Sequence, residues 1–359
     1  MSDCLRRYRA IHKALWKLYP ETPKGNLARH LTTLTALICG IVGSQRTHLP
    51  QIAEKVLDDA CPESRVKRFS RWIDNDRIDI ETYFLPYAQA LIHSLAHLTF
   101  LLVMDSSAVG RGCATLVLNV VYKNRALPLC WMVTEGNKGH FSEQDHLALI
   151  GQIQPLIPPN THVVFLGDGE FDGIGLQAQL DAYGWQYVCR TAKNIQLADE
   201  NKSFAFETLE IKPGTCKSLP EVLFTKQGYG PVHAIAWWDK KYKEPIYLVT
   251  NVKNTRQACR WYKKRFSIET FFSDQKSRGF HLHKSHLSDP DRLFRLMIAA
   301  CLAYIWIIFL GVLAEKDKWI PIIHRKDRCA LSLFQLGLRL LSYFLNKGMT
   351  IPILKLEPL

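Results

Sequence analysis

LTFLLVMD, residues 98–105, decides the fold. An unbroken apolar run this short has the look of a strand buried on both faces, and it ends on a carboxylate, Asp105. ATLVLNVVY and ALPLCWMVTE follow, both β-rich and separated by the turn-like KNR. SEQDHLALIGQIQPL then has helical apolar spacing, with Ser142 placed to cap it. THVVFLGD, residues 161–168, is a second buried-strand pattern and ends on Asp168. IGLQAQLDAYGW reads as a helix and QYVCRT as a further strand. Three strands, helix, strand, helix, strand predicts an α/β protein: an antiparallel meander, then helix-linked crossovers.

Outward from this core the pattern changes. Residues 1–95 read as helical, with apolar spacing broken at Gly43 and Pro50. Within them ESRVKRFSRWIDN, residues 63–75, is a cationic helix whose Arg65, Lys67, Arg68 and Arg71 are candidates for gripping phosphates. A solvated basic face has the same pattern. Residues 195–253 carry β-like pieces that interrupt the α/β alternation. LMIAACLAYIWIIFLGVLA, residues 296–314, has nineteen residues without a charge, enough by length to span a bilayer. It is read here as a helix buried in a large domain, and no membrane is expected.

Of 359 residues, 47% are hydrophobic and 22% charged, which excludes a disordered chain. Lys and Arg outnumber Asp and Glu by 46 to 33, a net charge of +13 that favours a polyanionic partner. The ten cysteines show no CxxC and no zinc spacing, so they read as reduced core residues of a cytosolic protein. The N-terminus has no signal-peptide pattern.

Carboxylates at the ends of two buried strands stand on rigid scaffold at the edge of a sheet. If the strands are neighbours, Asp105 and Asp168 converge, and like charges that close need a proton or a cation. Oxygen ligands with open positions suit Mg²⁺ or Mn²⁺. Each motif alone, DSS or DGEFDG, is also an ordinary turn. A third carboxylate, Glu269, lies in RWYKKRFSIETFFSDQK, residues 260–276. On a helix at about 100° per residue, Tyr262, Arg265, Glu269 and Lys276 share one stripe. Phe266, Ile268 and Phe272 lie elsewhere and are free to pack. A solvated i,i+4 pair of Arg265 with Glu269 fits the spacing equally well.

Tyr262-x2-Arg265-x3-Glu269-x6-Lys276 resembles the Tyr-Arg-Glu-Lys signature of bacterial insertion-sequence transposases, in insertion sequence family four. LLVMDSS and VVFLGDGEFDG are similar to the first-Asp and second-Asp motifs of these DDE enzymes. The resemblance implies a ribonuclease-H-like catalytic domain with a β-rich insertion, plus a helical N-terminal DNA-binding domain. The implied division is 1–95 DNA-binding, 96–194 core, 195–253 insertion, 254–318 core with the Glu helix, and 319–359 helical tail. It implies Asp105, Asp168 and Glu269 as catalytic ligands of two Mg²⁺ or Mn²⁺ ions. Tyr262, Arg265, Lys276, Lys263, Lys264 and Arg278 would then contact the DNA backbone.

Some relatives also stack a Trp on a flipped base just before a Leu-Leu-Thr. PIYLVT stands there in this chain, leaving Tyr247, Trp237 or Trp238 as substitutes, or as core residues. The implied activity is cut-and-paste transposition through terminal inverted repeats, with hairpin ends, target joining, a homodimer on double-stranded DNA and a cytoplasmic, nucleoid-associated location. The alternative is a catalytically inactive DNA-binding descendant of such an enzyme.

Overall fold

Asp105 does not end its strand. In the computed structural model, which describes residues 2–56, 58–136, 141–200, 202–325 and 329–353, strand β1 spans Phe100–Gly110 and carries Asp105 at its middle. The segment DSS, a turn sequence by composition, is extended because β2 (Cys113–Tyr122) pairs antiparallel along it. β3 (Arg125–Glu135) completes the meander. On the other side β4 (Val163–Gly167) runs parallel to β1, and β5 (Gln186–Thr191) parallel to β4.

Residues 195–253 continue this sheet. They supply β6 (Gln196–Ala198), β7 (Ser203–Ala205), β8 (Cys216–Phe224), β9 (Tyr229–Trp237) and β10 (Ile246–Thr250). β10 pairs antiparallel with β5, giving one ten-stranded sheet of order β3-β2-β1-β4-β5-β10-β9-β8-β6-β7 among the described residues.

Helices α1 (Asp3–Trp16), α2 (Gly25–Ser44), α3 (Leu49–Glu54), α4 (Pro62–Asp74), α5 (Ile80–Tyr83) and α6 (Leu85–Leu95) precede the sheet. Gly43 does not break α2; a Cβ there would lie 2.8 Å from the Arg7 guanidinium, so the glycine gives α1 room to approach. The crossovers are α7 (Glu143–Ile153), with Ser142 closing a capping box, and α8 (Ile174–Ala182). After β10 come α9 (Thr255–Tyr262), α10 (Ser267–Gln275), α11 (Pro290–Lys316), α12 (Ile320–Ile323) and α13 (Leu333–Asn346). Part of the tail expected over 319–359, at 326–328 and 354–359, lies outside the described residues.

α2 and α11 are both long and apolar enough to cross a membrane, but 89% of the apolar window of α11 is buried inside the protein. It packs on β3, α2, α4 and α13, and the Trp131 indole of β3 donates to Phe294 O at 3.3 Å. The length of α11 is explained by its place at the centre, where every face meets protein.

Candidate active site

The register Val103↔Leu166, carried two residues further, sets Asp105 beside Asp168. β4 ends one residue earlier, so Asp168 opens a turn while β1 runs on. That turn folds tightly. Asp168 Oδ1 accepts the Glu170 N–H at 3.0 Å, and Asp168 O accepts the Phe171 N–H at 3.0 Å. A Cβ on Gly167 would lie 2.5 Å from the Phe171 Cβ, so only glycine lets the fully buried Phe171 tuck back beneath the strand. The His146 ring of α7 meets Phe171 at a tilt of 48°, centroids 4.6 Å apart, and burial lowers its pKa. Asp172 accepts from Thr191 at 2.6 Å; burial pushes its carboxyl up.

The tuck returns Glu170 toward β1, where Ser106 Oγ donates to its Oε2 at 3.3 Å. Asp105, Asp168 and Glu170 offer oxygens that all lie within 4.8 Å of one another. Glu170 was not singled out from sequence. The signal that could have found it is the i,i+2 spacing to Asp168, hidden inside what reads as a turn.

Glu269 lies outside that group and joins it through Arg265. The guanidinium Nη1 is 3.7 Å from Asp105 Oδ2 and 3.8 Å from Asp168 Oδ2, and Nη2 donates to Glu269 Oε1 at 3.1 Å. Side-chain exposure rises from 6% at Asp105 and 8% at Arg265 to 25% at Asp168 and 56% at Glu269. The carboxylates thus form a gradient from a rigid floor to a solvent-facing rim, with one cation between. Nε and Nη1 of Arg265 are buried and have no hydrogen-bond partner, so its hold on the two aspartates is Coulombic.

Comparison with known proteins now gives the family. The sequence model described as "Transposase DDE domain" matches residues 99–306, more than half the chain, from the start of β1 into α11. The chain belongs to the transposase DDE domain family. Several solved structures align with it, two of which follow. One is the cryo-EM structure of a piggyBac transposase synaptic complex with hairpin DNA, at 14% identity over 99% of this chain and 83% of that one, TM-score 0.48. The other is the crystal structure of human ENDOV, at 12% identity over 62% and 96%, TM-score 0.24. Neither likeness is close enough to carry the assignment, which rests on the family match. No curated protein matches the sequence.

In this chain the scaffold is a large mixed sheet in an α/β fold; a DDE transposase acts on DNA, and its cleavage and transfer chemistry uses divalent metal ions. The donor set tests well against that requirement. Hard carboxylate oxygens, converging from a strand and the adjoining turn, are the ligands Mg²⁺ and Mn²⁺ take.

The other residues expected to serve the transposase differ in where they stand. Lys276 donates to Ser107 Oγ, two residues along β1 from Asp105, so it reaches the site. Lys263 pairs with Asp239 at 2.7 Å, Lys264 donates to Asn124 Oδ1, and Arg278 is exposed. Tyr262 is 1% exposed and burial pushes its phenol up to about 12, so it stands in the core and not on the surface stripe expected of it. The stripe itself is interrupted: a 3-10 turn, Lys263–Phe266, separates α9 from α10, and Lys276 falls just beyond α10. Phe266, expected to pack inward, is 38% exposed beneath the Arg265 guanidinium.

In α4, Lys67 and Arg71 are exposed, whereas Arg65 is buried and committed to Asp58 and Ala53 O; Arg68 also pairs with Asp58. Arg65 has therefore no face to offer a phosphate. Among the three aromatic candidates, Tyr247 lines a cavity of about 670 Å³ together with Asp168, Glu170, Arg190 and Lys193. Its ring meets Phe206 edge-on. Trp237 is nearly buried beneath Lys263, and the Trp238 indole donates to Tyr242 O at 3.1 Å.

Proposed function

We propose that this transposase moves an insertion sequence by cut-and-paste, with Asp105, Asp168 and Glu269 as its catalytic carboxylates. One observation carries the reading: carboxylates from β1, the β4 turn and α10, far apart in sequence, gather around the single guanidinium of Arg265. When bound, a pair of Mg²⁺ or Mn²⁺ ions supplies Lewis acidity to the attacking and leaving oxygens of a phosphodiester. Asp105 on β1 and Asp168 at the turn after β4 would hold the ions, with Glu269 as the third ligand. Glu170, whose carboxylate stands in the same group as the two aspartates, would be a further ligand. Arg265 and Lys276 orient the scissile phosphate, Arg265 exchanging its contacts with the carboxylates for the phosphate. Lys263, Lys264 and Arg278 extend the track along the backbone. Nothing in this scheme needs a protein nucleophile.

In this reading the helices of residues 1–95 bind terminal inverted repeats, Lys67 and Arg71 contacting phosphates. The ends form hairpins, reopen and join to target DNA within a homodimer, in the cytoplasm at the nucleoid. Tyr247 is the aromatic best placed to receive an unstacked base. The test is cleavage of an inverted-repeat oligonucleotide with Mg²⁺ or Mn²⁺. Asp105→Ala, Asp168→Ala and Glu269→Ala are each expected to reduce cutting to background and retain end binding. Robust cutting by Glu269→Ala sinks the assignment. A second reading, a silent DNA-binding protein, draws on Glu269 standing outside the tight carboxylate group; wild-type protein that binds ends yet never cuts them would establish it.

A further inference from the structure

Two pairs of thiols approach each other closely. Cys4 Sγ and Cys39 Sγ are 3.7 Å apart between α1 and α2, both buried. Cys216 Sγ and Cys259 Sγ are 3.9 Å apart, joining the start of β8 to α9. The second pair differs in that Cys216 is exposed while Cys259 is buried behind it. This also corrects the expectation that every cysteine is a core residue, since Cys61 and Cys329 are exposed as well.

We propose that Cys216 and Cys259 form an oxidisable pair, in which a peroxide-class oxidant converts the two thiols into a disulfide that fastens β8 to α9. In the first step the Cys216 sulfur attacks a peroxide oxygen; the O–O bond breaks, water leaves and Cys216 becomes a sulfenic acid. The Cys259 sulfur then attacks the sulfenic sulfur. The S–S bond forms, the S–O bond breaks, and the hydroxyl leaves with the Cys259 proton as a second water. Two thiols are oxidised by two electrons and one peroxide is reduced.

Three features select this pair. The attacking sulfur must be reachable and at least partly ionised. Cys216 is exposed, and the hydrogen bond from Cys259 lowers its pKa, whereas the bond to Cys4 and burial raise that of Cys39. The resolving sulfur must be in contact, and closing 3.9 Å to the roughly 2.05 Å of a disulfide takes rotation of two side chains, one at the start of β8 and one on α9. Finally, the bridge reinforces a seam that already exists. Cys216 pairs in register with Trp237, whose ring carries Lys263, and Lys263 bonds Asp239. Lys263 directly follows α9 and leads to Arg265, so the disulfide would staple the strands of residues 195–253 to the arm that bears Arg265 and Glu269.

The experiment treats full-length protein with hydrogen peroxide, blocks residual thiols with N-ethylmaleimide under denaturing conditions and maps tryptic peptides by mass spectrometry. Expected is a linked pair joining peptide 203–217 to peptide 257–260, two hydrogens lighter than its halves and reversed by dithiothreitol. Free thiols should fall from ten to eight, with Cys4 and Cys39 recovered as maleimide adducts. In Cys259→Ser, dimedone should trap Cys216 as a sulfenic acid. The oxidised protein should unfold at a higher temperature than the reduced one, a difference Cys216→Ser abolishes. An unchanged thiol count, a linkage to any other cysteine, a two-thiol loss that persists in Cys216→Ser, or no dimedone adduct in Cys259→Ser would overturn the proposal. None of these readouts depends on DNA cleavage.

Discussion

Arg265 is the residue on which the site balances. Its guanidinium stands between three carboxylates, and its side chain is 8% exposed, so neither water nor counterions can replace it cheaply. Arg265→Leu leaves Asp105 and Asp168 facing each other across adjacent strands without a cation. The expected outcome is a loss of about 3 kcal/mol in urea unfolding with chelator present, partly restored by Mg²⁺. Equal stability of mutant and wild type in chelator would show that the aspartates do not need the guanidinium. Asp105 and Asp168 were legible because each terminates an apolar run, and the run fixes the strand. Glu170 was not, because its direction depends on Phe171 tucking under Gly167, a packing event that neighbouring letters do not encode.

At the scale of elements, the segment from Tyr262 to Lys276 shows where helical spacing misleads. A uniform helix puts Tyr262, Arg265, Glu269 and Lys276 on one stripe; the 3-10 turn changes the rotation per residue between them. Tyr262 turns inward, Arg265 reaches β1 and β4, and Glu269 faces outward. The exit of α10 is equally constrained. A Cβ on Gly279 would sit 1.9 Å from Asp274 O, the carbonyl that accepts the Phe280 N–H at 3.0 Å. Gly279→Ala should cost about 1–3 kcal/mol by chemical denaturation, and an unchanged midpoint would mean the turn relaxes freely.

Asp274 itself is buried and pairs with Arg125 of β3 at 3.0 Å, yet burial outweighs the pairing and pushes its carboxyl up to about 6. The folded state therefore binds more protons than an unfolded chain whose carboxyl titrates near about 4. Its contribution is present below about pH 4 and lost as pH rises through about 6, on the order of 2 kcal/mol. Asp274→Asn should flatten the stability profile in that window; a slope identical to wild type would exclude Asp274 as its source.

Across the whole molecule α13 is drawn onto the central helix and α1 is tied to the end of α13. α13 crosses α11 backbone to backbone: a Cβ on Gly337 would lie 1.9 Å from Ile307 O, and one on Gly311 2.0 Å from Leu333 O. Arg6 of α1 donates to Leu345 O at 2.8 Å and Phe344 O at 3.0 Å, meeting the negative end of α13. Among its described residues α13 packs on α11, and the buried α11 follows from the same arrangement. The net +13 predicts DNA affinity that falls steeply with salt, each neutralised phosphate adding about 0.9 to the slope of log K against log salt concentration. The α4 residues divide on this measure. Lys67→Ala and Arg71→Ala, at exposed positions, should each lower the slope by about 0.9 with little change in melting temperature. Arg65→Ala, which removes the buried one of the two arginines on Asp58 and a guanidinium donor to Ala53 O, should lower the melting temperature and leave the slope alone. A slope change confined to Arg65→Ala would mean that α4 meets DNA by its other face, and that the basic stripe of residues 63–75 is a solvated surface.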